Sequence, residues 1–95
     1  MEKREIEEKL KELQGWELVE DKKLRKTFKF KNFQESIRFL TLIQPVADSI
    51  NHHPDVCVYY SRVVVELTTH EKGGLTELDF KLAKELDRIF EEMRS

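Results

Sequence analysis

An α+β domain, built as one four-stranded antiparallel sheet with three helices on a single face, is predicted by three features of the sequence. Apolar residues fall at helical spacing in three separate stretches. Between those stretches lie two pairs of short segments in which apolar and polar residues alternate, each pair joined by a few turn residues. The resulting order, helix, two strands, helix, two strands, helix, gives two hairpins that join into one two-layer domain with a wet outer sheet face.

The first stretch carries Ile6, Leu10 and Leu13 among charged neighbours, and Gly15 marks its stop. Trp16 and Leu18 belong to a first strand, and the charged turn Glu20 to Lys23 leads into a second, where Phe28 and Phe30 alternate with Thr27, Lys29 and Lys31. Asn32 can cap the next helix, along which Phe33, Ile37, Leu40, Ile43 and Ala47 share one side. Pro45 removes a helical hydrogen bond, so a kink near Gln44 or a break into two pieces is expected there. Segments 55–60 and 62–69, rich in valine and tyrosine, form the second hairpin around a tight link near Ser61. Gly73 and Gly74 allow a sharp turn. Thr76 with Asp79 three residues on starts the last helix in the manner of a capping box, and Leu78, Leu82, Leu86, Ile89, Phe90 and Met93 form its apolar stripe.

The 95 residues fit a single domain, 1–95. With 17 basic residues against 19 acidic ones the net charge is -2, too small a field to favour a nucleic acid or an anionic membrane as partner. The basic run from Lys22 to Lys31 fits a solvated strand face better than a polyanion site. Cys57 is the one cysteine. It can close no internal disulfide and supplies too few thiols for a zinc-cysteine framework, which suits a reducing, cytoplasmic setting. No stretch has the pattern of a signal peptide or a membrane span.

All three histidines of the chain flank the second hairpin. His52 and His53 precede its first strand and His70 follows its second, so antiparallel pairing brings the three to the same end. Pro54 biases His53 towards an extended backbone. A group of imidazoles that titrate near neutrality can both give and take protons, as general acid-base chemistry requires. A three-histidine zinc site is the competing reading. It is disfavoured because neighbouring side chains of an extended segment point to opposite sides, which separates His52 from His53. Asp48, one turn before His52, can orient an imidazole or a substrate. Asp79 fits a helix cap, and Tyr60 fits either strand packing or the wall of a ligand site.

Asp48, three residues on His52, His53 and Pro54, then Tyr60, His70 and Asp79 together resemble the signature of the pterin-4a-carbinolamine dehydratase family. The runs Asn51 to Pro54 (NHHP) and Thr69 to Thr76 (THEKGGLT) are similar to its two most recognisable motifs, and the likeness covers nearly the whole chain. Two departures stand out. Asp55 is followed by Val56 where many members have tryptophan, and Asp48 stands where glutamate is common.

The resemblance implies a dehydratase that converts a 4a-hydroxytetrahydropterin into the quinonoid dihydropterin and water, in the recycling of a tetrahydrobiopterin-type cofactor. It implies no metal and no cofactor, with His52 and His70 in the acid-base steps and His53 holding the pterin. Asp48, Pro54, Tyr60 and Asp79 would complete the substrate site. It also implies a homodimer or homotetramer, and Val58, Tyr60, Val63 and Val65 are not expected all to face the same helices. Two alternatives remain open at this point: a non-catalytic dimerisation or coactivator module, and a dehydratase-like protein acting on another pterin, such as a molybdopterin-related one.

Overall fold

The computed structural model describes residues 1–94. Helix α1 (Lys3–Leu10) is followed by strands β1 (Glu17–Val19) and β2 (Lys23–Lys29), helix α2 (Phe33–Ser49), strands β3 (Asp55–Tyr59) and β4 (Arg62–Leu67), a single 3-10 turn (His70–Lys72) and helix α3 (Glu77–Arg94). The strands form one antiparallel sheet in the order β1-β2-β4-β3, so the two predicted hairpins meet through β2 and β4. The fold class is therefore the one read from the sequence.

Alternation explains which face meets the helices. In β2 and β4, Leu24, Phe28, Val63, Val65 and Leu67 are buried. Their neighbours Arg25 and Glu66 point the other way and pair across the strands, Arg25 Nη2 lying 2.6 Å from Glu66 Oε2. Val58 is opposite Val63, and Val56 opposite Val65. As expected, the four residues Val58, Tyr60, Val63 and Val65 do not all face the helices: Val58, Val63 and Val65 share the helix-facing side, and Tyr60 stands apart. Phe28 is the aromatic centre of the core, with ring centroids 4.7 Å from Phe39, 5.1 Å from Phe90 and 6.0 Å from Trp16. Edge and tilted contacts of this kind suit the ring quadrupoles.

Two local expectations shift. Helix α1 ends at Leu10, about a turn before Gly15, yet Leu13 and Trp16 are still buried. The Trp16 indole is fixed by Asp87 of α3, to which Nε1 donates at 3.0 Å, and Lys26 Nζ reaches the same carboxylate at 2.7 Å. Helix α2 runs unbroken from Phe33 to Ser49 through Pro45, where a break or kink was expected. Pro45 lies on the exposed side of the helix, so the carbonyl that it leaves without a helical partner, that of Thr41, also sits where solvent can reach it.

Candidate active site

The placement of His52 begins with the end of α2. Ile50 is the C-cap and Asn51 follows in the left-handed region at φ 51°. The His52 N–H donates to the Ala47 carbonyl at 3.1 Å and the Asn51 N–H to that of Asp48 at 3.1 Å. These two bonds make a Schellman motif, in which asparagine is the usual substitute for glycine at the left-handed position. The motif turns the chain sharply out of the helix, and His52, His53 and Pro54 lead straight into β3.

His52 and His53 then diverge, as extended neighbours should. The His52 side chain is only 11% exposed, and its Nε2 is 2.6 Å from Oδ1 of the fully buried Asp79 in the first turn of α3. The other oxygen of Asp79 accepts from the Thr69 hydroxyl at 2.8 Å and from the Thr76 N–H at 2.9 Å. Asp79 is therefore both the cap of α3 and the partner of His52. Three donors converge on one carboxylate, and a carboxylate can only accept. Nε2 of His52 consequently carries its proton towards Asp79, which in the neutral imidazole leaves Nδ1 as the nitrogen with a free lone pair.

His53 is 57% exposed, with Nε2 at 2.8 Å from Oδ1 of Asp48, itself 52% exposed. Asp48 also accepts from the Gln44 side-chain amide one turn earlier on α2. The His53 bond first, and the Gln44 bond second, hold the Asp48 carboxyl below its ordinary value.

His70 opens the 3-10 turn after β4. That turn is closed at its base: Thr69 N–H donates to the Gly74 carbonyl at 3.0 Å and Gly74 N–H returns to the Thr69 carbonyl at 3.4 Å. Gly73 adopts φ 68°, which glycine does without strain. His70 Nε2 stands 3.8 Å from Asp55 Oδ2, beyond hydrogen-bond reach, and its side chain is 77% exposed. Asp55 is opposite Glu66 and so belongs to the outward row of the sheet.

The hairpin thus brings His52, His53 and His70 to one end of β3 and β4, each with a carboxylate nearby, and Asp48 and Asp79 come with them. Pro54 lies there too, half-buried. Tyr60 does not. It occupies the turn at the opposite end of the hairpin, at φ 45°, with its ring stacked on Phe33 at a centroid distance of 6.5 Å. It lies five residue steps along the hairpin from Asp55, roughly 16 Å of strand. The carboxylate of Asp79, expected to touch substrate, has both oxygens taken by protein donors and is covered by His52. Thr69 and Asn51 were not singled out as functional in the sequence. Asn51 could have been, since asparagine directly after a helix marks a left-handed stop.

Residues 1–89 match the family described as Pterin 4 alpha carbinolamine dehydratase. A protein of Sulfolobus acidocaldarius with the provisional name of pterin-4-alpha-carbinolamine dehydratase is 56% identical over 89 residues, spanning 94% of this chain and 97% of the relative. The crystal structure of a transcriptional coactivator/pterin dehydratase from Brucella melitensis superposes with a TM-score of 0.90 at 36% identity, covering 94% of this chain and 96% of the other. A pterin dehydratase-like protein identified as a RuBisCO assembly factor in the alpha-carboxysome shares the fold, with a TM-score of 0.69 at 18% identity over 81% of this chain and 90% of its own. With near-complete coverage in sequence and in structure, this chain belongs to the pterin 4 alpha carbinolamine dehydratase family.

Proposed function

We propose that the protein dehydrates a 4a-hydroxytetrahydropterin to the quinonoid dihydropterin by histidine general acid-base catalysis, and so recycles a tetrahydrobiopterin-type cofactor. The observation that carries the mechanism is the buried His52–Asp79 pair at the same end of the hairpin as His70. In the reaction the C4a–O bond breaks, the N5 lone pair forms the C4a=N5 double bond, a proton joins the departing hydroxide to give water, and a ring nitrogen gives up a proton. Hydroxide leaves poorly unless it is protonated, so the step needs one donor and one acceptor. His52 offers Nδ1 as acceptor, with Asp79 stabilising the cation that forms, in the manner of a carboxylate behind a catalytic imidazole. The exposed imidazole of His70, with Asp55 nearby at 3.8 Å but beyond hydrogen-bond reach, is the donor.

His53, gripped by Asp48 on the solvent side, holds the pterin beside Pro54 and Val56. The carboxylate of Asp79 acts on the substrate only through His52. Tyr60 of the same subunit is too distant to form a wall of this site. Among the described residues no helix is long and apolar enough to cross a membrane. A cytoplasmic location is our reading from the lone, exposed cysteine.

Self-association is part of the same proposal. Strand β3 ends the sheet with an unpaired edge, and Val56, Tyr59 and Tyr60 with the neighbouring Phe33 are exposed along it. Edges of this kind are normally covered. Light scattering at micromolar concentration is expected to show a dimer or tetramer, and a monomer alone would remove this part.

The activity is tested by generating the 4a-hydroxytetrahydropterin in place with an aromatic hydroxylase and following its dehydration, after subtraction of the spontaneous rate. A rate no faster than the spontaneous one overturns the proposal. Activity abolished by chelators and restored by zinc would assign the histidines to a metal instead.

A further inference from the structure

The dehydratase reading gives work to His52 and His70, which lie on separate segments and share no bond. Thr69 is the residue that touches the placement of both. It is 6% exposed, and its side chain lies on the inward row of β4 continued past its end: Val63, Val65, Leu67 and Thr69 alternate at period two. A hydroxyl on that row must find partners or cost stability.

It finds them in one direction only. The Thr69 hydroxyl donates to Asp79 Oδ2 at 2.8 Å, and its oxygen is also 2.8 Å from the Thr76 hydroxyl. Since Asp79 takes the single Thr69 proton, the proton between the two threonines belongs to Thr76. Thr76 in turn accepts from the Leu78 N–H at 3.3 Å. The chain of donors therefore runs Leu78, Thr76, Thr69, Asp79, and ends on the carboxylate that holds His52. Meanwhile the backbone of Thr69 closes the turn that carries His70, through both bonds to Gly74 and through the Lys72 N–H, which donates to its carbonyl at 3.0 Å.

We infer that Thr69 is a positioning residue that holds the two acid-base histidines in a fixed relation: its hydroxyl fixes the Asp79 carboxylate behind His52, and its backbone roots the turn that presents His70. This rests on the proposed dehydratase mechanism for its catalytic consequence, but its structural content does not. Losing the hydroxyl leaves Asp79 Oδ2 with the Thr76 N–H as its donor, so that the carboxylate can turn its Oδ1 away from Nε2 of His52, and it removes the acceptor that ties the base of the turn to the Thr76 hydroxyl.

The test compares Thr69→Val, which keeps the shape and removes the hydroxyl, with Thr69→Ser, which keeps the hydroxyl. Thr69→Val is expected to lower kcat by about 10- to 100-fold, the usual cost of losing a group that orients a catalytic side chain. KM should stay within about twofold, since the pterin is gripped elsewhere. Thr69→Ser is expected to recover kcat to within about threefold of the parent. Two readouts do not need activity. Nitrogen-15 shifts of His52 should move from the single Nε2–H tautomer to a mixture in Thr69→Val, and the amides of Lys72 to Gly74 should exchange faster.

If the parent protein proves to have no dehydratase activity, the proposed function fails while these two spectroscopic readouts still decide the inference. Thr69→Val with an unchanged tautomer and unchanged kcat overturns it, as does Thr69→Ser impaired as much as Thr69→Val, which would reduce the residue to packing. Should Thr69→Val fail to fold, Thr69→Cys, with a weak donor of similar size, is read by the same criteria.

Discussion

Two histidine–aspartate pairs lie within a few residues of each other and have nearly the same length, 2.6 Å for His52–Asp79 and 2.8 Å for His53–Asp48. Their surroundings make them different objects. Asp79 is sealed beneath α3 with three donors on its carboxylate, whereas Asp48 and His53 are both more than half exposed. In water an ion pair contributes little, because solvent screens it and two mobile side chains must be ordered. In the interior, removing one partner strands the others without water to replace it. A bond length alone therefore says little about what a pair does. Burial makes the first a fixed part of the structure and leaves the second open to exchange with solvent.

Removing Asp79 is the strongest way to test this contrast. Asp79→Ala is expected to cost about 3–5 kcal/mol of stability, as for a broken buried pair. Asp48→Ala should leave stability close to that of the parent, since solvent screens the exposed pair. Chemical denaturation of the two variants checks both, and equal losses would mean that burial does not separate the pairs.

Turnover should divide in the same way. On the proposed mechanism His52→Ala is expected to lower kcat by about 100-fold or more, since it would remove a group that works in the transition state. His53→Ala should act mainly by raising KM, because a residue that grips the pterin in ground and transition states alike contributes uniform binding. Steady-state kinetics with the spontaneous reaction subtracted would show it, and a KM effect confined to His52→Ala would reverse the roles.

Asn51 lies upstream of both pairs. Asn51→Val places a β-branched residue at φ 51° and should cost about 1–2 kcal/mol, while Asn51→Gly should be close to neutral. A melting curve for Asn51→Val that matches the parent would show that the helix stop does not depend on the left-handed residue.

The smallest effect is on pH. The Asp48 carboxyl is held below its ordinary value of 3.8 by His53 and then by Gln44. A depressed carboxyl stabilises the fold above its unfolded value, and that contribution is lost as pH falls through the lower, folded value. The loss accordingly lies on the acid side of 3.8, and the pair is intact at neutral pH. In His53→Ala the Asp48 titration, followed by carboxyl carbon-13 shifts, should move up towards the ordinary value. An unmoved titration would mean that Gln44 alone holds it.

Periodicity and hairpin logic carried the element order and the gathering of three histidines at one end, because both depend on local spacing and on antiparallel return of the chain. Of the kink near Gln44 or break expected at Pro45, the break did not follow, since a proline on the exposed side of a helix leaves its carbonyl acceptor where solvent can serve it. Tyr60 was read as a site residue from its place in a motif, but a turn at the far end of a hairpin carries a side chain the length of the strand away.

Two polar residues that the sequence reading did not place inside lie on inward rows: Thr69 continues the buried row of β4, and Asp79 sits on the same stripe of α3 as Leu82 and Leu86. Alternation and helical period alone require that both find partners inside. Which partners they find was decided only by the tertiary structure. Asp79 could have served its own helix start and nothing more. Packing α3 against the sheet places its first turn under the end of β4 and beside the exit from α2, so that His52, 27 residues away, meets the carboxylate. Local pattern specifies that a buried acid must be satisfied. Only the crossing of distant segments specifies by whom.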